Sequence, residues 1–382
     1  MQTLAKVCVV AAAVVFALAA VELAVRILLG LGWVSDAATL RIVGTHCDMI
    51  YDSLLGWNNP SGAVMKDEWG GMDVIINSMG FRDREYAEQK PDGVFRILVL
   101  GDSFTWGLGV SQEEIYTEVL ESMLNQTLEG SPRVEVINAG ISGFGTDQEY
   151  LLLQRWAKRL APDLVVLFFY ENDIHNNISS FQYHAPKPIF YARNDRLVLH
   201  NVPVPRIVLD EKEELYLIES CSMLENLASF RVALTRAQTN YRVCAVLDAL
   251  GLVDLSPPWG YVNMTDSKQL TLRLIQAMRQ QSKAVEAAFT VVYCPPSTNL
   301  TPQDYAMASE PPALVAELEK HQIPCLDLFA EFKARNVSGD AIRIKRPLQE
   351  KPDLHFNPAG HRLEAEILHR YILDAGWIPA PR

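Results

Sequence analysis

The chain has 382 residues, of which 49% are hydrophobic and 21% are charged, and its formal net charge at pH 7 is −12. This composition supports a large packed core and excludes a wholly disordered chain. The length leaves room for more than one domain. Lysine and arginine form no block, so we expect no sequence-independent nucleic-acid surface, which depends on clustered positive charge.

The N-terminal segment is the strongest compositional break in the chain. A charge-free run, VCVVAAAVVFALAA, is followed by Glu22 and Arg26, which lie four positions apart and can pair on one helix face. This pattern predicts an uncleaved membrane helix over residues 1–33. A cleaved secretory signal with an A-x-A site at Ala17–Ala19 is one alternative, and a buried helix of a soluble protein is another. Both of the first two interpretations export everything after about residue 34, to the outer side of the cell membrane or to the periplasm.

Six cysteines are spread over the chain, at positions 8, 47, 221, 244, 294 and 325. They form neither a C-x-x-C zinc motif nor a dense disulfide framework, so we expect no metal and no cofactor. One or two disulfides are compatible with an exported protein, and Cys294–Cys325 is the first candidate.

The remaining chain divides into a turn-rich extension at residues 34–94, expected to form short strands and loops, and a main domain at residues 95–382. In the main domain, near-continuous apolar runs predict strands buried on both faces. The predicted strands are Phe95–Leu100, Val134–Asn138, Leu164–Phe169, Ala288–Cys294 and Ile323–Leu328. The predicted helices are Glu113–Leu128, Asp147–Leu160, Asp266–Ala287, Pro311–His321 and Pro358–Ala375. Strands that alternate with helices indicate a doubly wound α/β sheet.

A long interval between the third and fourth predicted strands indicates an insertion at about residues 176–265. Within it we expect a hairpin that turns at Arg193–Asp195, because Asn and Asp tolerate turn dihedrals. A long helix is expected to end at Gly251. The insertion also holds aromatic residues that suit either substrate contact or, more commonly, core packing: Phe190, Tyr191, Trp259 and Tyr261.

Candidate catalytic residues lie at the ends of four predicted strands, the last group just before the final helix. In open parallel sheets, ligands bind beyond the carboxyl ends of the strands. The candidates are Ser103 in GDSFTWG, Gly143 in NAGISGFGT, Asn172 in ENDI, and Asp353 and His355 in DLHFNPAGH. Each also has a simpler interpretation. Ser103 could be a helix cap, Gly143 part of a tight turn, Asn172 a turn residue and His355 a surface histidine. His361 is expected to be a surface histidine. A phosphate-binding loop is not supported, because neither G-x-x-x-x-G-K-[ST] nor G-x-G-x-x-G occurs.

Taken together, these residues match the needs of acyl transfer by serine, which requires a base, a group that orients the base, and donors for the oxyanion. Ser103 is the candidate nucleophile, His355 the base and Asp353 its orienting acid. The backbone N–H groups of Ser103 and Gly143 and the side-chain amide of Asn172 are the candidate oxyanion hole.

The four segments resemble, in order, the conserved blocks of the SGNH (GDSL-like) hydrolase superfamily, and residues upstream resemble its exported or membrane-anchored bacterial members. The resemblance implies a flavodoxin-like three-layer α/β/α sandwich with a parallel five-stranded sheet, here carrying an N-terminal membrane helix and an insertion after the third strand. It also implies serine-dependent ester chemistry. Two departures stand out: Glu171 occupies the position where the family usually has glycine, and Asp353 and His355 are separated by one residue instead of two.

The expected function is therefore ester hydrolysis through an acyl-serine intermediate, on an O-acylated cell-surface carbohydrate or a small ester. A membrane-anchored polysaccharide O-acyltransferase uses the same residues, with a sugar hydroxyl in place of water. A catalytically idle domain that binds glycan, and a phosphate-binding protein on the same sheet, are the alternatives from other classes.

Overall fold

The computed structural model describes residue 20 and residues 49–66, 72–182, 185–193, 196–204, 206–209, 215–219, 264–296, 300–307, 311–344 and 353–379. The predicted membrane or signal segment (except residue 20), the predicted helix ending at Gly251, and the aromatic pair Trp259 and Tyr261 lie outside these residues. Among the described residues, none of the helices combines the length and the apolar character needed to cross a membrane.

The described strands are β1 (Ile50–Asp52), β2 (Gly56–Asn58), β3 (Val64–Lys66), β4 (Asp73–Ile75), β5 (Val94–Gly101), β6 (Arg133–Gly140), β7 (Leu164–Tyr170), β8 (Phe181–Gln182), β9 (Ala185–Pro186), β10 (Ile189–Arg193), β11 (Arg196–His200), β12 (Arg206–Leu209), β13 (Leu215–Glu219), β14 (Ala288–Cys294) and β15 (Cys325–Asp327). The described helices are α1 (Ser103–Trp106), α2 (Tyr116–Thr127), α3 (Thr146–Leu160), α4 (Asp173–Asn176), α5 (Met264–Ala284), α6 (Pro302–Met307), α7 (Ala313–Lys320), α8 (Leu328–Ala334), α9 (Gly339–Ile342) and α10 (Pro358–Asp374).

Five strands form one parallel sheet in the order β15–β14–β7–β5–β6. Counted along the chain, this is the order 2-1-3-4-5 of the flavodoxin-like doubly wound fold. The prediction of an α/β protein with a five-stranded parallel sheet is confirmed. The strand order reverses between β5 and β7, and in such sheets the ligand site lies beyond the carboxyl ends of the strands at this point.

The sheet is covered on both faces because its side chains alternate with a period of two. On β5, Leu98 and Leu100 belong to the core on one face, whereas Ile97 and Val99 belong to the core on the other. Residues of α3, α5 and α7 fill the first core, and residues of α2, α8 and α10 fill the second. The result is a three-layer α/β/α sandwich.

Among the predicted elements that are shorter in the structure, two are shortened at one end for a clear local reason. The last strand is Cys325–Asp327 because Asp327 caps α8, its side chain accepting the N–H groups of Phe329 and Ala330. The helix predicted from Glu113 begins at Tyr116, after a single 3-10 turn at Gln112–Glu114.

The regions outside the sheet are built from small antiparallel hairpins. In the N-terminal extension, β1 pairs with β2 and β3 pairs with β4, as the turn-rich composition predicts. In the insertion, β10 pairs with β11, with Arg193 opposite Arg196, so the predicted hairpin is confirmed. Phe190 is buried in the core, and the Tyr191 ring lies edge-on to His200 at 4.8 Å.

The candidate disulfide Cys294–Cys325 is wrong, since both thiols are free. On the paired strands, Cys325 lies opposite Val291, three residues before Cys294. Because successive side chains alternate between faces, an offset of three residues directs the two thiols to opposite faces of the sheet. Cys294 accordingly belongs to one core, and Cys325 packs against the other.

Candidate active site

Strand β5 carries Ser103 to the carboxyl edge of the sheet. Asp102 follows the strand and caps α1, its side-chain oxygen accepting the Phe104 N–H at 3.0 Å. Ser103 is the first residue of α1, so its own N–H has no acceptor within that helix. The helix cap is therefore Asp102, and Ser103 is left half-buried at the edge with its hydroxyl available for other contacts.

Ser103 is in direct contact with His355, although 252 positions separate them. The Ser103 Oγ lies 2.7 Å from the His355 Nε2, and the Asp353 Oδ1 lies 2.6 Å from the His355 Nδ1. A proton on Nδ1, donated to Asp353, leaves Nε2 as the acceptor for the serine hydroxyl. Asp353 Oδ1 also accepts the His355 backbone N–H at 3.0 Å. The one-residue spacing therefore lets a single carboxylate hold both the ring and the main chain of the histidine.

The segment that carries this pair is fixed on both sides. Asp353 N–H donates to the Ile344 carbonyl at 2.9 Å, and Ile344 N–H donates to the His355 carbonyl at 3.0 Å. On the other side, the Phe104 ring lies 4.7 Å from the imidazole and stacks on Tyr170 at 4.3 Å. The histidine ring is therefore held by a short stretch of paired backbone and by an aromatic neighbour adjacent to the serine.

The loop after β6 brings Gly143 to the same edge of the sheet. Gly143 has a φ of 79°, in the left-handed region that favours glycine. The turn itself is closed by the Phe144 N–H, which donates to the Ile141 carbonyl at 3.1 Å, so it does not use the Gly143 N–H. At Gly140 a Cβ would lie 2.5 Å from the Trp106 backbone N, so only glycine allows this close approach to α1.

Asn172 lies after β7, beside Asp102. Its Nδ2 donates to the Asp102 Oδ2 at 3.1 Å, which uses one of the two amide hydrogens. Within the described residues the second hydrogen is unused, and an oxyanion can accept it. Burial raises the pKa of Asp102, while hydrogen bonds from Phe104 and Asn172 oppose that rise. Glu171 is not among the residues with positive φ, so the backbone accommodates a glutamate where the family usually has glycine.

The N-terminal extension supports these loops, which sequence reasoning did not foresee. Trp57 donates through its Nε1 to the Ser142 carbonyl at 3.0 Å, directly before Gly143. The fully buried Arg82 donates to the carbonyls of Gly107 at 2.5 Å and Val110 at 2.6 Å, just beyond α1. The hydrophobic periodicity of a sequence does not reveal an arginine that is buried against main-chain carbonyls. The turn residues around Arg82 indicate only a loop.

His361 is buried, with 1% of its surface exposed, so the expectation of a surface histidine is wrong. Its ring lies parallel to Tyr116 at 6.0 Å, and its Nδ1 is 3.6 Å from the Glu364 Oε2. Burial lowers the pKa of His361 to about 3 and raises the pKa of Glu364 well above its usual range. The imidazole is then neutral at pH 6, so its contact with Glu364 is not an ion pair.

A second buried polar cluster lies behind the glycine loop, and sequence analysis also missed it. Lys187, from the insertion, is fully buried and donates to the Asp147 Oδ2 at 2.5 Å and to the Asn176 carbonyl at 2.8 Å. Glu149 and Asp173 are buried nearby, and burial raises the pKa of both well above the usual range. Among the described residues, no group of three or more His, Cys, Asp or Glu side chains is arranged to hold a metal ion.

A serine, a histidine and an aspartate in hydrogen-bonded series, with donors on two neighbouring loops, are the parts of a serine hydrolase site. The site lies at the carboxyl edge of a doubly wound sheet, at the reversal of strand order. The chain belongs to the GDSL-like lipase/acylhydrolase family, whose model matches residues 99–363. It is thus an esterase or acylhydrolase of the GDSL (SGNH) type.

The solved structures that match the chain are distant in sequence, and no curated protein matches it. A catalytic mutant of Axe2, an acetylxylan esterase from Geobacillus stearothermophilus, is 14% identical; the match covers 75% of this chain and 96% of that one, with a TM-score of 0.37. LAE5, an alpha/beta hydrolase enzyme from the metagenome of Lake Arreo in Spain, is 12% identical over 77% and 100% of the two chains, with a TM-score of 0.38. A two-domain esterase active on acetylated mannans is 16% identical over 76% and 52%, with a TM-score of 0.38.

Proposed function

We propose that Ser103 is the nucleophile of an ester hydrolase and that His355 and Asp353 are its base and orienting acid. The observation that carries this proposal is the unbroken series of contacts from Ser103 Oγ to His355 Nε2 at 2.7 Å and from His355 Nδ1 to Asp353 Oδ1 at 2.6 Å. His355 takes the serine proton as Oγ attacks the ester carbonyl. It then returns that proton to the leaving alcohol, and an acyl-Ser103 intermediate remains.

The developing oxyanion accepts hydrogen bonds from the N–H groups of Ser103 and Gly143 and from the second amide hydrogen of Asn172. In the second half of the reaction, water gives its proton to His355 and attacks the acyl group. The collapse of that adduct releases the carboxylic acid and returns the proton to Ser103. The buried Asp102 keeps Asn172 in place through the 3.1 Å contact with its amide.

The proposed substrate is an O-acylated cell-surface carbohydrate or a small ester, and the proposed location is outside the cytoplasm, with residues 1–33 as a membrane anchor or export signal. The support for this location is the charge-free N-terminal run and the interruption of it at Glu22 and Arg26. The same acyl-Ser103 intermediate can be captured by a sugar hydroxyl, which would make the protein an O-acyltransferase.

The test uses the full chain and its Ser103→Ala variant with the 4-nitrophenyl esters of acetate, butyrate and octanoate. We expect turnover only with Ser103 present, and covalent labelling of Ser103 by a fluorophosphonate probe. Equal rates for the two proteins together with no labelling would mean a catalytically idle, glycan-binding domain. Acyl transfer to added glycan that outpaces hydrolysis would replace the hydrolase with the O-acyltransferase.

A further inference from the structure

A cavity of about 580 Å³ has Glu171, the residue before Asn172, in its wall. Its walls come from the residues after β7, from the first turns of α5, from the end of β14 and from α7. The volume falls within the roughly 300–1,000 Å³ of typical small-molecule sites and is far larger than an acetyl group requires. The mechanism described above makes no use of this space.

Glu171 connects the cavity to the site of reaction. It lines the cavity, and it directly precedes Asn172, so the two Cα atoms are about 3.8 Å apart. The Tyr293 hydroxyl, which also lines the cavity, donates to the Glu171 Oε1. This hydrogen bond holds the carboxylate in the cavity wall, one residue from Asn172, whose amide is a proposed oxyanion donor.

The lining combines an apolar wall with polar side chains, which suits a sugar ring. Besides Glu171, the polar or charged side chains are those of His175, Lys268, Gln269, Thr271, Tyr293 and Glu317, and the apolar wall is formed by Ile174, Leu272, Ala313 and Leu314. An acyl chain here would desolvate the Glu171 carboxylate without offering it a hydrogen bond, which is costly. Sugar hydroxyls can donate to this carboxylate and accept from Lys268, while the CH groups of the ring pack on the apolar wall.

We propose that this cavity is a subsite for an uncharged, hydroxyl-rich alcohol part of the ester, such as a sugar ring, and that Glu171 is its specificity-determining residue. The proposal rests on the proposed function, because it needs Ser103 to attack the ester whose alcohol occupies the cavity. It assigns a role to the glutamate that replaces the family's usual glycine.

The test compares two acetates that share the acyl group and differ in the ring oxygen and the hydroxyls of the alcohol: 6-O-acetylglucose and cyclohexylmethyl acetate. The ratio of their kcat/KM values is measured for the full chain, for Glu171→Leu and Glu171→Gln, and for Glu366→Gln as the matched control. Glu366 is an exposed residue of α10 that pairs with Arg362. We expect the unaltered protein to prefer the sugar ester.

Glu171→Leu should lower the ratio by about tenfold or more, which is the effect of one lost hydrogen bond to a charged group. Glu171→Gln should give a smaller loss, and Glu366→Gln should leave the ratio unchanged. If the Glu171 variants fail to fold, competitive inhibition of the unaltered protein by glucose and by cyclohexylmethanol tests the same preference. Glucose should then bind more tightly.

An unchanged ratio in folded Glu171 variants, or a preference for cyclohexylmethyl acetate or for octanoate esters, would overturn the subsite while leaving the esterase proposal intact. Failure of the esterase proposal gives a different result. The unaltered protein would then hydrolyse 4-nitrophenyl acetate no faster than Ser103→Ala, and the subsite would fall with it.

Discussion

Lys187→Met is expected to lower the free energy of unfolding by about 3–5 kcal/mol at pH 7. Methionine keeps most of the lysine's length and volume but removes its charge. Lys187 and Asp147 are both fully buried, so the substitution leaves a carboxylate in the protein interior without its cation. Burial already raises the pKa of Asp147, and the attraction and hydrogen bond of Lys187 are the main opposing causes.

The magnitude follows from the proton that Asp147 must take up. A carboxyl group of usual pKa 3.8 is ionised in the unfolded chain at pH 7, and binding a proton there costs about 4 kcal/mol. The neighbouring carboxyl groups of Glu149 and Asp173 are also buried, so neither can carry the negative charge in place of Asp147 at lower cost. With a urea slope of about 3 kcal/mol per molar, the unfolding midpoint should fall by roughly 1 M or more.

The explanation also predicts how the stability loss of Lys187→Met changes with pH. In the variant, folded Asp147 holds a proton that the unfolded chain releases above pH 3.8, so stability falls as the pH rises. The difference from the unaltered protein should therefore be largest at pH 7 and narrow toward pH 4. Urea unfolding followed by tryptophan fluorescence at pH 7, 5.5 and 4.5 measures it.

Two companion variants complete the measurement. Lys187→Met combined with Asp147→Asn removes both charges and should recover most of the lost stability. Lys66→Met removes an exposed lysine that pairs with Asp73 on the surface, and it should leave the midpoint unchanged. The explanation is refuted if the single Lys187 variant unfolds at the same urea concentration as the unaltered protein, or if its loss does not vary with pH.

Two further predictions concern the site and the core beside it. Asp353→Asn should lower kcat on 4-nitrophenyl acetate by about 10⁴ without changing the melting temperature, because the amide no longer selects the required histidine tautomer; a loss below tenfold would mean that another group orients His355. Burial lowers the pKa of His361 from its usual 6.5 to about 3, so between these values the unfolded chain binds a proton at this residue that the folded chain does not. The stability contribution of His361 should therefore fall as the pH falls from 6.5 toward 3. His361→Gln removes this titration, so the unfolding free energy of the unaltered protein, measured relative to this variant, should decrease between about pH 7 and pH 4.5; a difference that does not vary with pH would contradict it.

The sheet could be predicted from the sequence because a strand buried on both faces leaves an uninterrupted apolar run. Leu164–Tyr170 and Ala288–Cys294 are examples, and the second begins and ends where the sequence predicts it. The convergence of Ser103 and His355 was also predictable, because residues at the carboxyl ends of parallel strands share one edge. Where the run was interrupted by a capping Asp327, the predicted strand was too long.

The buried polar groups could not be predicted in this way. Lys187 and Arg82 are polar residues in turn-rich segments, and local pattern assigns such residues to the surface. Their burial depends on partners 40 and 25 positions away, Asp147 and the Gly107 carbonyl, which no local periodicity reveals. The prediction of a surface position for His361 was wrong for the same reason. A helical pattern shows which residues share a face of the helix but not which neighbouring element covers that face.

Trp57 and Arg82 hold main-chain carbonyls in the loops that follow β6 and α1, and this has a practical consequence for isolating the enzyme. The match to the family begins at residue 99, so a fragment cut at that boundary would lack both side chains. Such a fragment would keep every residue of the proposed triad but only the last three residues of the central strand β5, Val99–Gly101. The carbonyls of Ser142 and Gly107 would also lose their donors, and the two loops would be free to drift from the serine. The smallest catalytic unit therefore starts ahead of Trp57.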